Sequence, residues 1–192
     1  MPRQPRFWYP GAEYHITTRG NQKTPLFHDA QDRRVYLNYL SEARMEFPFD
    51  LYAYCLMTNH IHLQIKTHDT NIQLIMKKVN HRYAYYFNRK NNYVGHVFQD
   101  RYFAKLIESP FYQIDVSKYI HLNPVKAGLA PTPCAYEWSS YPTYVQFRRM
   151  PSVNPYPILS HFPYPQNNAY KQFVENDPSL SITGKELAEA FL

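Results

Sequence analysis

The sequence predicts an α+β fold in which helices cover one face of a four-stranded antiparallel sheet. Three observations lead to this prediction. Apolar residues make up 44% of the 192 residues, a proportion typical of a globular protein. Two long stretches carry apolar residues at helical spacing, and short β-prone segments with alternating side chains flank them. Turn and helix-capping residues separate these segments in the order β-α-β-β-α-β.

The first half of the chain contains three predicted strands and one helix. Residues 14–20 are β-prone and end at a Gly-Asn turn. Asp29 is a suitable N-cap for a helix over residues 30–47. Residues 49–57 alternate as a second strand, and a two-residue turn connects them to a third strand over residues 60–65.

The second half begins with a predicted helix over residues 71–90, followed by a polar loop and a fourth strand over 102–108. Ser109 and Pro110 are typical of an N-cap and the first position of a helix. We expect this third helix to end at Asn123, because the residue before a proline disfavours helical geometry. The order corresponds to a split βαβ, ferredoxin-like antiparallel sheet with helices on one face and one more helix after the last strand.

The chain is expected to comprise two parts. Residues 1–130 form the predicted domain, and residues 131–192 form a C-terminal extension packed on it or trailing from it. Proline and aromatic residues are frequent in the extension, which predicts irregular structure with short helices near 168–176 and 184–192.

Composition favours a nucleic-acid partner. The formal net charge is +6, and the chain contains 19 tyrosines, 12 phenylalanines and 2 tryptophans. Cations that follow phosphates and rings that stack on bases are typical of proteins that bind single strands. The sequence has no apolar run of membrane-spanning length and no charged-then-apolar leader, so we expect a cytoplasmic protein without a membrane partner.

Two histidines two residues apart are the most informative pair in the sequence. His60 and His62 lie in a predicted strand, where side chains alternate between faces, so both imidazoles point to the same side. Ile61 and Leu63 point to the other side, which can be buried against helices. The pair therefore presents two nitrogen ligands on an open sheet face, where a divalent metal ion can bind.

The third predicted helix supplies partners for this pair. Tyr119 and Asn123 are four residues apart and share one helical face. If the helix packs beside the histidine strand, the Asn123 amide oxygen completes a metal site and Tyr119 lies next to it. Tyrosine is a suitable nucleophile where a phosphotyrosine intermediate must form.

Two segments of this sequence resemble the motifs of the single-tyrosine HUH transposases. They are residues 57–63 (MTNHIHL) and residues 119–129 (YIHLNPVKAGL). Residues 14–21 (YHITTRGN) and 95–102 (GHVFQDRY) are similar to the same family. The closest resemblance is to the REP-associated tyrosine transposases.

This resemblance implies a metal-dependent endonuclease and strand transferase that acts on single-stranded DNA. Tyr119 would form a 5′-phosphotyrosine link and release a 3′-hydroxyl, and His60, His62 and Asn123 would bind Mg²⁺ or Mn²⁺. The implied substrates are imperfect palindromes that fold into REP-like hairpins. The family contains dimers and monomers, and we expect a monomer. In a bacterial host the protein would be associated with the nucleoid when bound to DNA.

Six basic residues are candidates for DNA contacts, namely Arg19, Lys78, Arg82, Arg89, Arg101 and Lys105. Two alternatives to the transposase stay open. One is a non-catalytic relative of the same fold that binds structured DNA or RNA, and the other is a phosphodiesterase with a water nucleophile.

Overall fold

Four antiparallel strands form one sheet in the computed structural model, which describes residues 7–146, 150 and 152–176. The strands are β1 (Glu13–Arg19), β2 (Phe49–Leu56), β3 (His60–Thr67) and β4 (Phe103–Leu106). Their spatial order is β2-β3-β1-β4, so β1 and β3 are central and β4 is an edge strand. The predicted α+β, ferredoxin-like sheet is therefore confirmed.

Helices α1 (Ala30–Glu46) and α2 (Ile72–Asn91) pack on one face of the sheet. Asp29 caps α1 as predicted, since its side chain accepts a hydrogen bond from the Asp32 backbone N–H. The apolar side chains of β3 are buried beneath the two helices in the main core. Although α2 is 20 residues long, no helix within the described ranges is long and apolar enough to span a membrane.

Helix α3 (Pro110–Lys126) lies on the opposite face of the sheet and packs against β2 and β3. The Ser109 side chain caps it, as predicted. The predicted end at Asn123 is wrong, because the helix continues through Pro124 for a further partial turn. The Ala127 N–H donates to the Asn123 carbonyl, and Gly128 then adopts a φ of +68°, which ends the helix. Since Pro124 lies in the last turn, its missing N–H removes only one bond near a terminus.

The C-terminal extension packs onto the body of the protein. Its short helices are α4 (Tyr141–Val145), α5 (Tyr156–Leu159) and α6 (Gln166–Glu175), the last close to the predicted helix at 168–176. The helix predicted near 184–192 lies outside the described residues.

A buried hydrogen-bond network joins the extension to α3. The His121 ring has its Nδ1 2.7 Å from the Tyr170 hydroxyl in α6 and its Nε2 2.8 Å from the Ser140 hydroxyl. The Tyr170 hydroxyl also donates to Ser117 of α3. The extension therefore fixes the helix that carries Tyr119, whereas the domain boundary at residue 130 stays a prediction.

Candidate active site

Strand β3 presents His60 and His62 on the face covered by α3. The two imidazole rings have centroids 4.9 Å apart and stand almost perpendicular to one another. Their directly opposite residues on β1 are Arg19 and Thr17, respectively. His62 is buried at the centre of the sheet, and His60 is partly exposed near the end of the strand.

Helix α3 brings Tyr119 and Asn123 onto the histidine pair. The Tyr119 ring lies 5.3 Å from the His62 ring, and the Asn123 amide oxygen lies 3.2 Å from His60 Nε2. Burial raises the pKa of the Tyr119 phenol, while the Asn123 side chain and the positive charge of Arg19 act in the opposite direction. A tyrosine side chain, an amide oxygen and two imidazoles thus meet at one place.

The protonation of His60 follows from its neighbour Asn59. The Asn59 side-chain NH₂ donates to the Lys23 carbonyl, which can only accept, so the Asn59 oxygen faces His60 Nδ1 at 2.8 Å. His60 Nδ1 must therefore carry the proton, which leaves a lone pair on Nε2. That lone pair faces the Asn123 amide oxygen, another acceptor. Two hydrogen-bond acceptors that lie 3.2 Å apart repel each other, so a cation between them is favoured.

The donor atoms fit a hard divalent cation. Ligands at right angles around an ion at about 2.1 Å are separated by about 3 Å, close to the separation of His60 Nε2 and Asn123 Oδ1. The described residues contain no group of three or more histidine, cysteine or acidic side chains that could hold a metal ion. A metal ion here would instead bind to His60, His62 and the Asn123 amide. Because two imidazoles are softer ligands than Mg²⁺ prefers, this set would favour Mn²⁺ over Mg²⁺.

A third histidine contacts the pair from the neighbouring strand β1. His15 of β1 stacks on His62 with ring centroids 5.2 Å apart, and its Nε2 lies 3.1 Å from His62 Nδ1. The Thr17 hydroxyl is 3.1 Å from the same nitrogen. Because its Nδ1 interacts with β1, His62 would bind a metal through Nε2. Contacts of this kind fix the orientation of a ligating imidazole.

All three imidazoles are held neutral. Burial lowers the pKa of His15 to about 3 and that of His60 to about 4, and it lowers the pKa of His62 well below the usual value. The nearby charge of Arg19 acts in the same direction on His60 and His62. A neutral imidazole is the form that binds metals, so the site is prepared for a cation near neutral pH.

Two of the six candidate DNA contacts lie on the same sheet face as the histidine pair. Arg19 is directly opposite His60, and Lys105 of β4 is directly opposite His15. The Lys105 ammonium also lies 5.0 Å from the centre of the Tyr112 ring. Both cations therefore flank the site that Tyr119 occupies.

The remaining candidates lie elsewhere. Lys78 and Arg82 of α2 form ion pairs with Glu46 and Glu42 of α1, on the other face of the sheet. Arg89 is exposed on α2, and Arg101 is exposed in the segment before β4. Their role in DNA binding stays a prediction.

The sequence interpretation missed His15, Thr17 and Asn59. The alternation of Glu13, His15, Thr17 and Arg19 along β1 would have placed His15 and Thr17 on a single face. Their contact with His62 required the pairing of β1 with β3. The role of Asn59 required the position of the Lys23 carbonyl, for which the sequence contains no signal.

The architecture is that of an α+β protein with a tyrosine, an asparagine and a histidine pair clustered on the α3 face of its sheet. Residues 9–123 match the family model for IS200-like transposases, which is more than half of the chain. The chain belongs to the IS200-like transposase family. No curated protein matches it by sequence.

One solved structure shows the same fold. A REP-associated tyrosine transposase bound to a REP hairpin superposes with a TM-score of 0.67 at 16% identity, covering 80% of this chain and 91% of that one. A putative transposase from Deinococcus radiodurans R1 gives a TM-score of 0.44 at 13% identity, covering 66% of this chain and 97% of that one. At 16% identity the first likeness establishes the fold alone.

Proposed function

We propose that this protein is a metal-dependent single-strand DNA endonuclease and strand transferase that acts on hairpin-forming DNA through a 5′-phosphotyrosine intermediate. The observation that carries the proposal is the position of α3, which sets Tyr119 beside His62 and Asn123 beside His60. Membership of the transposase family supports DNA as the substrate. The REP hairpin bound to the similar structure supports a hairpin.

The Tyr119 oxygen attacks the scissile phosphorus, an O–P bond forms, and the bond from phosphorus to the 3′-oxygen breaks. The 3′-oxygen leaves as a hydroxyl. A metal ion held by His60, His62 and Asn123 supplies Lewis-acid polarisation of the phosphate when bound. Attack by a 3′-hydroxyl on the phosphotyrosine reverses the step, and the bond energy is retained without a nucleotide cofactor.

The surrounding residues assist the nucleophile. Burial keeps the Tyr119 phenol protonated at neutral pH, so its proton must leave during attack. The departing 3′-oxygen takes up one proton, so the step neither gains nor loses protons overall. The Asn123 side chain and the Arg19 charge both stabilise the phenolate relative to the phenol. Arg19 also lies on the face where the phosphate approaches, since it is paired with His60 across the sheet.

The test combines the full chain with a labelled single-stranded hairpin and Mn²⁺. We expect a covalent adduct that survives denaturation and is absent in EDTA and in Tyr119→Phe. Tyr112→Phe, in the first turns of the same helix, is the matched control and should retain the adduct. Binding without cleavage would indicate a non-catalytic binder. Cleavage that survives Tyr119→Phe would indicate a water nucleophile. A mass measurement in solution tests the expected monomer.

A further inference from the structure

Phe103 is an exposed aromatic residue on the face of the sheet that carries the candidate active site. It is the first residue of the edge strand β4 and lies directly opposite Thr17 of β1. Thr17 in turn lies directly opposite His62 of β3. Residues opposite one another in a sheet point to the same side, so Phe103, Thr17 and His62 form one row across the sheet.

The row leads outward from the histidine pair. Neighbouring strands are about 4.8 Å apart, which places the Phe103 backbone about 10 Å from that of His62. Helix α3 packs against β2 and β3 and carries the Tyr119 ring over His15 and His62. Beyond it, Phe103 keeps 41% of its surface exposed. This exposed part of the side chain can be contacted by a molecule that extends from the site over the edge of the sheet.

Cations flank this ring on the same face. Lys105 lies two residues along β4, and Arg19 lies two residues along β1 from Thr17. Each is only partly exposed. A flat apolar surface between two positive charges is complementary to a nucleotide, because its base can stack while its phosphates contact the cations. An apolar protein partner would gain nothing from the two charges.

We propose that Phe103 is a stacking platform for one unpaired base next to the phosphodiester that Tyr119 attacks. This inference rests on the proposed function and adds a binding position for the single strand. The base occupies the edge of the sheet at β4, and the strand runs from there across Thr17 to the histidine pair. Phe103 therefore determines where along the strand the scissile phosphate comes to lie.

The experiment measures DNA binding without cleavage. Tyr119→Phe protein in EDTA is titrated with a labelled hairpin that has single-stranded flanks, and with a series in which each flank nucleotide in turn is abasic. Stacking on one aromatic ring typically contributes about 1–3 kcal/mol, so Phe103→Ala should weaken binding by about 5-fold or more. One abasic position should weaken binding by a similar factor, and Phe103→Ala should abolish the effect of that position alone.

Three further variants separate stacking from other causes. Phe103→Trp should retain the affinity, whereas Phe103→Leu, which keeps an apolar side chain but no flat ring, should lose it. Tyr85→Ala is the matched control, since Tyr85 is an aromatic residue of α2 that is 65% exposed. It should leave binding unchanged.

Several results would overturn the inference. They are unchanged affinity in Phe103→Ala, normal affinity in Phe103→Leu, or a loss in Tyr85→Ala without one in Phe103→Ala. If the wild-type chain forms the covalent adduct and Phe103→Ala binds DNA with normal affinity, the stacking platform is refuted and the proposed function stands. A wild-type chain without any adduct would refute the proposed function, whereas the abasic series would still report on Phe103.

Discussion

Replacing Asn59 with alanine should weaken the binding of Mn²⁺ although Asn59 is not expected to touch the metal. Asn59 accepts the proton of His60 Nδ1 at 2.8 Å, and its own NH₂ is anchored on the Lys23 carbonyl at 3.0 Å. In Asn59→Ala the proton is free to move to His60 Nε2. There it donates to the Asn123 amide oxygen, 3.2 Å away, and joins two ligands to each other.

The size of the effect follows from this competition. Before a metal can bind, the new hydrogen bond between His60 and Asn123 must break, which costs about 0.5–1.5 kcal/mol. The imidazole also loses the partner that fixes its orientation, and removal of such partners typically reduces metal affinity about 10- to 100-fold. We therefore expect a loss of about 10-fold or more, equivalent to about 1.4 kcal/mol.

Two measurements on the same protein test this reasoning. Free Mn²⁺ is quantified by electron paramagnetic resonance during titration, and nitrogen NMR reports which nitrogen of His60 carries the proton. Asn59→Asp keeps an acceptor for Nδ1 and should retain that tautomer. Asn91→Ala is a matched control, because Asn91 lies 3.1 Å from His28 in an exposed pair of the same type. Unchanged Mn²⁺ affinity in Asn59→Ala, together with a proton that stays on Nδ1, would refute the reasoning.

Three further predictions concern stability and DNA binding. Tyr170→Phe leaves His121 Nδ1 without its buried partner and should cost about 1–3 kcal/mol of unfolding free energy, measured by urea denaturation. Burial raises the pKa of the Glu13 carboxyl above its ordinary 4.5, although hydrogen bonds from neighbouring glutamines act in the opposite direction. The contribution of this raised pKa to the unfolding free energy is complete below pH 4.5 and is lost as the pH rises through the folded-state pKa. The unfolding free energy of the wild type should therefore fall relative to that of Glu13→Gln above pH 4.5, and a constant difference would contradict this. In a salt titration of single-strand binding, Arg19→Gln should reduce the log–log slope by about 0.7, whereas Lys78→Gln, on the opposite face of the sheet, should leave it unchanged.

Much of the fold could be predicted because its signals are local. The two-residue period of β3 determines that His60 and His62 share a side, and the four-residue spacing in α3 determines that Tyr119 and Asn123 do. The caps Asp29 and Ser109 bond to their own helices, so they identify where α1 and α3 begin without any tertiary information. These rules hold wherever the segments lie in space.

Other features depend on contacts between distant segments. The stacking of His15 on His62 depends on the register of β1 against β3, since a shift by one residue would turn His15 to the other face. The predicted end of α3 is too early, because a proline in the last turn of a helix removes only one backbone hydrogen bond. The packing of the helix outweighs that loss. Lys78, Arg82 and Arg89 share one face of α2 by their spacing in the sequence, but Glu46, the acidic partner of Lys78, comes from α1.

The contact between His121 and Tyr170 has a consequence for the order in which the protein is made. These residues are 49 positions apart, and Tyr170 leaves the ribosome well after the strands and α3 have been synthesised. Until then His121 can contact Ser140 through Nε2, but its Nδ1 lacks a hydrogen-bond partner. A growing chain can thus pair its sheet early, but the helix that bears Tyr119 is secured only when α6 docks. The last helix that the structure describes thereby determines when in biosynthesis Tyr119 is firmly in place.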